Sequence, residues 1–430
     1  MDLKKNTAIV LLVLFMLNIS STFLSNNNTS SSNMISYGVR ILLYLYILKE
    51  IHRCYYPSKL QKCYLFKFSK VVPCLLLSQL LISILVIGNV FSSISRIFPT
   101  FFILADNVLF LYIGYESYKK GLITQEKIYK MLRIFALISI IIMTIISAYV
   151  KVYFGNLESL WNYARESNNQ LDVFLNTYKN VNPYKFAVLI PFLFLKKNKY
   201  NVLITVIAII NILLVGKRGP LLALGLAAIT VYLYTTKGRS LYLKYGIALF
   251  FVFFIYITFI DTSLFETIIY RMDPSQHYSA TNDSSFYTSG RNELWKIILD
   301  DWYKKNIFVL LFGMGPSGAS DLLMSQVGLN NAHNTWLEML YNFGIIGVCI
   351  YFSYFLYIGK VLKKMRRSKY KHYELFLFQY VFSFVSTFYT VTYYGGFVAP
   401  GYYNLMFAFF IGEFIYIKNN NKNDCIKYRR

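Results

Sequence analysis

Residues 330–352 read NNAHNTWLEMLYNFGIIGVCIYF, a polar loop that turns into an apolar helix. Thr335 to Glu338 match a capping box, with Thr335 as N-cap and Glu338 reaching back. The apolar run continues to about residue 360. A helix crossing a hydrocarbon core of about 30 Å needs roughly 20 mostly apolar residues. This stretch therefore reads as a span with a histidine, His333, at its mouth.

Similar segments fall at 6–24, 35–51, 69–91, 97–118, 129–150, 183–195, 200–215, 219–236, 241–261, 335–360, 373–393 and 398–417. Of the 430 residues, 56% are hydrophobic and only 15% charged, which excludes an ordinary soluble domain. The expected fold is an all-α polytopic membrane protein, residues 1–430 forming one integral membrane domain of about 12 transmembrane helices. Lys4 and Lys5 precede the first span as in a signal peptide, but no small-residue cleavage site follows, so a retained helix is expected.

The net charge of +24 invites a nucleic-acid reading that its distribution refutes. With the N-terminus inside, 31 Lys and Arg fall on the cytoplasmic side and 11 outside. That is the positive-inside bias of a multi-pass protein in the cytoplasmic membrane with both termini cytoplasmic. Cys54, Cys63, Cys74, Cys349 and Cys425 lie in cytoplasmic segments or spans, with no CxxC or Cys/His cluster. No metal site, cofactor or disulfide framework is indicated.

Between spans 9 and 10 lies a large extracytoplasmic loop, residues 262–334. Loops this long usually carry function. Within it SGRNELWKIILDDWYKK (289–305) sets Leu294, Trp295, Ile298 and Trp302 at helical spacing. The helix either lies on the outer membrane surface or packs over the span tops. Arg291 stands in its first turn in both readings.

VGKRGPLLALGLAA (215–228) joins spans 7 and 8 on the outer side, with Pro220 suited to a first helical turn. Lys217 and Arg218 stand just before it, on the face that the bias keeps poor in cations. Both side chains either snorkel to headgroups or, with Arg291 and two helix N-termini, form an anion clamp. Guanidinium forks suit a diphosphate because each bonds two oxygens at once. His333 beside such a clamp is a candidate general base, since an imidazole of ordinary pKa, about 6.5, accepts a hydroxyl proton at neutral pH. Glu338 serves as a cap, as part of the substrate site, or to orient His333. Asp106 within span 4 is an intramembrane carboxylate without an assigned role. GMGPSG (313–318) lacks the Lys-Ser/Thr of a phosphate loop and reads as a turn.

GKRGPLLAL, TSGRNELW and HNTWLEMLYNFGIIG, in this order, resemble the signature of the O-antigen polymerase and ligase family of bacterial membrane glycosyltransferases. The resemblance covers the signature region 200–350. Lys217 stands where the family often has serine, and Asn342 where an acidic residue is common. The resemblance implies a metal-independent glycosyltransferase without cofactor. Its donor and acceptor would be glycans on undecaprenyl diphosphate at the outer face of the inner membrane. Catalytic roles would fall to Arg218, Arg291 and His333, with Lys217 and Glu338 in the substrate site. A polymerase joining repeat units into O-antigen or capsular polysaccharide is the favoured expectation, beside a flippase and a chain-length regulator. A ligase moving the chain to lipid A core shares the constellation. A secondary transporter is the reading from another class, but binding at the midplane of two repeated halves does not match charges gathered at the outer edge. A structural scaffold would leave those charges unexplained.

The sidedness is directly measurable. Ser284→Cys should react with an impermeant thiol reagent in intact spheroplasts; labelling only after membrane disruption would reverse the orientation.

Overall fold

The computed structural model describes residues 114–115, 118–119, 125–154, 187, 190–193, 200–214, 218–235, 291–315, 318–328, 332–368, 370, 372–388 and 410–417. These residues are 90% helical and include no strand. The spans expected at 6–24, 35–51, 69–91 and 241–261 lie outside the described residues, as do Asp106 and Lys217.

The helices are α1 (Gln125–Phe154), α2 (Ile190–Leu193), α3 (Tyr200–Leu214), α4 (Arg218–Thr235), α5 (Arg291–Tyr303), α6 (Ile307–Phe312), α7 (Gly318–Val327), α8 (Thr335–Arg367) and α9 (Tyr373–Ser386). Described residues within 129–293 and 374–386 form one compact unit, and the remainder another.

In the first unit, large apolar side chains stay exposed along single helix faces. Ile134, Ile138, Ile141, Ile142 and Ile145 line one side of α1, and Val202, Leu203, Val206 and Ile210 one side of α3. A soluble protein seldom leaves such stripes bare, whereas a bilayer covers them. Three threonine hydroxyls are satisfied within their own helices: Thr144, Thr205 and Thr230 donate to the carbonyls of Ile140, Asn201 and Leu226. That suits surroundings without water.

The second unit is organised by α8, the one helix among the described residues long and apolar enough to cross a membrane. It is not straight. Gly344 adopts φ 66°, ψ −171°, and breaks the helix into residues 335–343 and 345–367. The Trp336 ring lies 5.1 Å from Tyr351 and 6.2 Å from Phe355. In a straight helix residues 336 and 355 would stand about 28 Å apart, so the chain bends sharply at Gly344. The expected span beginning at Thr335 is thereby corrected. Its first nine residues are a separate short helix, and residues 345–367, about 34 Å long at 1.5 Å per residue, are the part matched to a bilayer core. Ile345, Phe352 and Leu356 form an exposed stripe on that part, while Tyr351, Phe355, Ile358 and Leu362 are buried on another face.

A break strands the carbonyls of the preceding turn. The turn after α6 supplies the missing donors: Met314 N–H bonds Tyr341 O and Gly315 N–H bonds Asn342 O, both at 2.9 Å. Pro316 and Ser317 of the GMGPSG stretch lie outside the described residues; Met314 and Gly315 are the splice that closes the break. The approach is backbone on backbone. A Cβ at Gly344 would meet the Leu311 carbonyl at 2.3 Å, and one at Gly313 (φ 82°) would meet that of Asn342 at 2.3 Å. Gly344→Ala should therefore destabilise the protein by about 2 kcal/mol or more. Gly225→Ala in α4, where nothing lies within 4 Å, should leave the thermal midpoint in detergent unchanged or slightly higher. Equal midpoints for both variants would refute the close contact.

Candidate functional site

The amphipathic helix expected at 289–305 forms as α5 and begins at Arg291. Its apolar face is covered by protein. Leu294, Ile298 and Trp302 are buried in one cluster with Ala319 and Leu323 of α7, Ala332 of the following loop and Tyr341 of α8. Of the two expected readings, protein packing therefore accounts for this face. On its polar flank, Asp301 accepts a hydrogen bond from the Tyr341 hydroxyl and pairs with Lys305 at 3.0 Å.

The sequence from Ala332 to Glu338 sets the geometry around His333. Asn334, with extended φ −146° and ψ 109°, is the N-cap of α8, and its side-chain oxygen accepts from Trp336 N–H and Leu337 N–H. The expected capping box is corrected by one residue. Thr335 already lies inside the helix, where its N–H donates to Thr387 O at 2.9 Å. Glu338 does reach back, but past the cap: its Oε1 accepts the Ala332 N–H at 2.7 Å. From the other side, the Trp295 indole N–H donates to Ala332 O at 2.9 Å. Ala332 is fully buried and Asn334 nearly so, while His333 between them is exposed with φ 52°. Left-handed backbone in a non-glycine residue is uncommon and persists where surrounding bonds over-determine it.

Other expected residues fall as follows. Arg218 is the first residue of α4 and Pro220 lies in its first turn, as the sequence suggested. Arg291 is the first residue of α5 and is half-buried. Glu338 lies in the first turn of α8 and bonds the residue before His333, which itself stands just ahead of the cap. Asn342, at the position where the related pattern is often acidic, uses its side-chain oxygen to accept Ala319 N–H at 2.8 Å in the first turn of α7. A neutral amide oxygen thus satisfies one of the free donors there. Sequence reasoning missed Trp295 as a hydrogen-bonding residue because its ring fits the apolar stripe. It missed Asn334 because Asn-Thr offers two adjacent cap residues. The half-buried indole N–H, which seeks a partner, was the available signal.

Residues 203–352 match the family model described as O-antigen ligase. This region is similar to the O-antigen ligase family. The match takes in α3, α4 and every element from α5 to the first turns after the α8 break. The family is one of membrane proteins, glycosyltransferase-like and acting on lipid-linked O-antigen glycans. No curated protein matches the chain.

The α5 platform has a readable pH dependence. Burial raises the Asp301 pKa, but hydrogen bonds from Tyr341 and Lys305 outweigh it and hold the carboxyl below its ordinary value. A carboxyl depressed in the folded state contributes stability above its unfolded pKa, about 3.9, and loses it as pH falls through the folded value. The thermal midpoint should therefore drop as pH is lowered below about 4. Asp301→Asn should lower the midpoint at neutral pH and flatten that acid limb.

Proposed function

We propose that this protein is a polymerase joining undecaprenyl-diphosphate-linked oligosaccharide repeat units into O-antigen or capsular polysaccharide at the outer face of the cytoplasmic membrane. The observation that carries the reading is His333 within the matched region: exposed, left-handed and flanked by buried, hydrogen-bonded neighbours. In the reaction the acceptor sugar hydroxyl attacks the anomeric carbon of the donor glycan. His333 takes the hydroxyl proton, the anomeric C–O bond breaks, and the diphosphate leaves with the electron pair. Arg218 and Arg291, helped by Lys217, bind the diphosphate and stabilise its growing charge. Preorganised donors of this kind are worth about 3–4 kcal/mol each in other enzymes. Cationic side chains supply the charge, so the scheme needs no metal.

The same proposal places about twelve spans across the bilayer, with both termini cytoplasmic and residues 262–334 outside. Contacts agree with the pairing of these ends on common sides. The Tyr370 hydroxyl donates to Glu413 Oε2 at 3.0 Å, and the Tyr115 and Tyr118 rings each lie 5.6 Å from that of Tyr416. These residues come from three segments whose ends the sequence assigns to the cytoplasmic side. Thr335 and Trp336 both bond Thr387, and all three fall at or toward outer ends. A second reading, transfer of the chain to lipid A core, is favoured by the name of the matching family, O-antigen ligase. It uses the same residues with a different acceptor.

Proteoliposomes given lipid-linked repeat units test the scheme. His333→Ala should abolish elongation and leave repeat units unconsumed, and wild-type turnover should fall on the acid side as the imidazole takes up a proton and stops acting as a base. His333→Gln hydrogen-bonds but does not take the proton, so it should be as inactive as the alanine variant. Arg218→Lys and Arg291→Lys keep charge without the fork and should each lose most activity at normal protein level. Full turnover in the glutamine variant would remove the base, and full turnover in both lysine variants would remove the clamp. Product that stays on the polyprenyl diphosphate identifies the polymerase; product on lipid A core identifies the ligase.

A further inference from the structure

We infer that Glu338 and Trp295 are positioning residues that grip the backbone of Ala332 at its N–H and its carbonyl and so fix the direction of His333; the inference rests on His333 being the base. The grip is not needed to cap the helix. Asn334 alone accepts from both Trp336 N–H and Leu337 N–H, and that satisfies the donors an N-cap ordinarily serves. The two further bonds fall on a single residue ahead of the cap, one on the N–H and one on the carbonyl of Ala332. A residue bonded at both its N–H and its carbonyl has the peptide planes on its two sides held, so neither of its backbone rotations is free. The next residue, His333, is then held at φ 52°, a conformation the chain would otherwise leave at little cost.

The two grips have different chemistry. Glu338 Oε1 to Ala332 N–H is short, 2.7 Å, in the range of bonds to ionised acceptors. Glu338 is buried and stands four residues into α8, near the positive end of the helix dipole, which favours a carboxylate there. Trp295 sits on α5, whose buried Leu294, Ile298 and Trp302 anchor it in the α7 and α8 cluster. Its indole N–H therefore transmits the seating of a whole helix to one carbonyl. The carboxylate thus holds the chain that carries the base. A base must be placed to within a fraction of an ångström, and a misplacement of about 1 Å lowers rate about 100-fold.

Four variants in reconstituted protein test this: Trp295→Phe, Glu338→Ala, Glu338→Gln and the Trp295→Phe/Glu338→Ala double. Trp295→Phe keeps an aromatic ring and loses the donor, whereas Glu338→Gln keeps an acceptor oxygen. Trp295→Phe and Glu338→Ala should each lower kcat about 10- to 100-fold with donor KM within about twofold of wild type, since ground-state binding is untouched. Glu338→Gln should recover most of the turnover. The double variant should lose far less than the product of the singles, because both bonds hold one residue. A readout independent of catalysis accompanies these: hydrogen exchange of the peptide containing Ala332 should be protected in wild type and Glu338→Gln. It should be at least about tenfold faster in Glu338→Ala. Wild-type kcat in Trp295→Phe overturns the grip. So does a Glu338→Gln variant as impaired as Glu338→Ala, and so does a raised KM at unchanged kcat, which would mark Glu338 as a substrate contact. If His333→Ala stays active, the base assignment falls, while exchange at Ala332 still reports whether the grip exists.

Discussion

A helix cannot both cross a bilayer and tuck its first turns beside itself unless its backbone breaks, and everything around His333 depends on the break at Gly344. Ending the first piece of α8 there strands the carbonyls of Tyr341 and Asn342, and two N–H groups of the Met314–Gly315 turn take them up. Because that turn is bound to the break, α6 and α7 are fixed against α8. Because α7 and Tyr341 are fixed, the cluster that seats α5 exists. The position of the Trp295 indole, and with it the Ala332 carbonyl, follows from the same joint.

The electrostatics of this region are local. Asp301, Tyr341 and Lys305 form a small polar chain on the flank of α5. Glu338 is paired with a main-chain amide and Asn342 with another. Each buried acceptor at the head of α8 thus has a backbone donor, which is how polar atoms are kept beneath an apolar cover. Trp336 closes the inner side, its indole N–H on Thr387 and its ring among Tyr351, Phe355 and Phe388. The exposed imidazole stands out against a setting in which its neighbours are buried.

Much of this was legible in the sequence. Helix bounds at α3 and α4 agree with the apolar segments because apolar runs and Pro220 mark them plainly. Arg218, Arg291 and His333 were singled out by charge on the disfavoured side and by position at helix starts, and each proves to stand at or just before such a start. The break at Gly344 was not legible, since NFGIIG is as apolar as the span it interrupts and a glycine alone does not announce its φ. The cap was misread by one residue because Asn334 and Thr335 are both good caps, and only the fold of the preceding loop selects between them. The Glu338 bond to Ala332 was hidden for the same reason: its target is a main-chain amide, which no side-chain pattern encodes.

The joint between α6 and α8 has a further consequence for how such a chain changes over generations. It is closed by main-chain hydrogen bonds and by two glycines, Gly313 and Gly344, each lying against the other segment's peptide. Main-chain groups are the same in every residue. The surrounding side chains can therefore be exchanged freely, provided that both glycines stay and the apolar volume is kept. A fold held in this way imposes little wording on its sequence. Two chains could share the joint, the bend and the exposed imidazole while agreeing at a handful of letters spread over 150 residues.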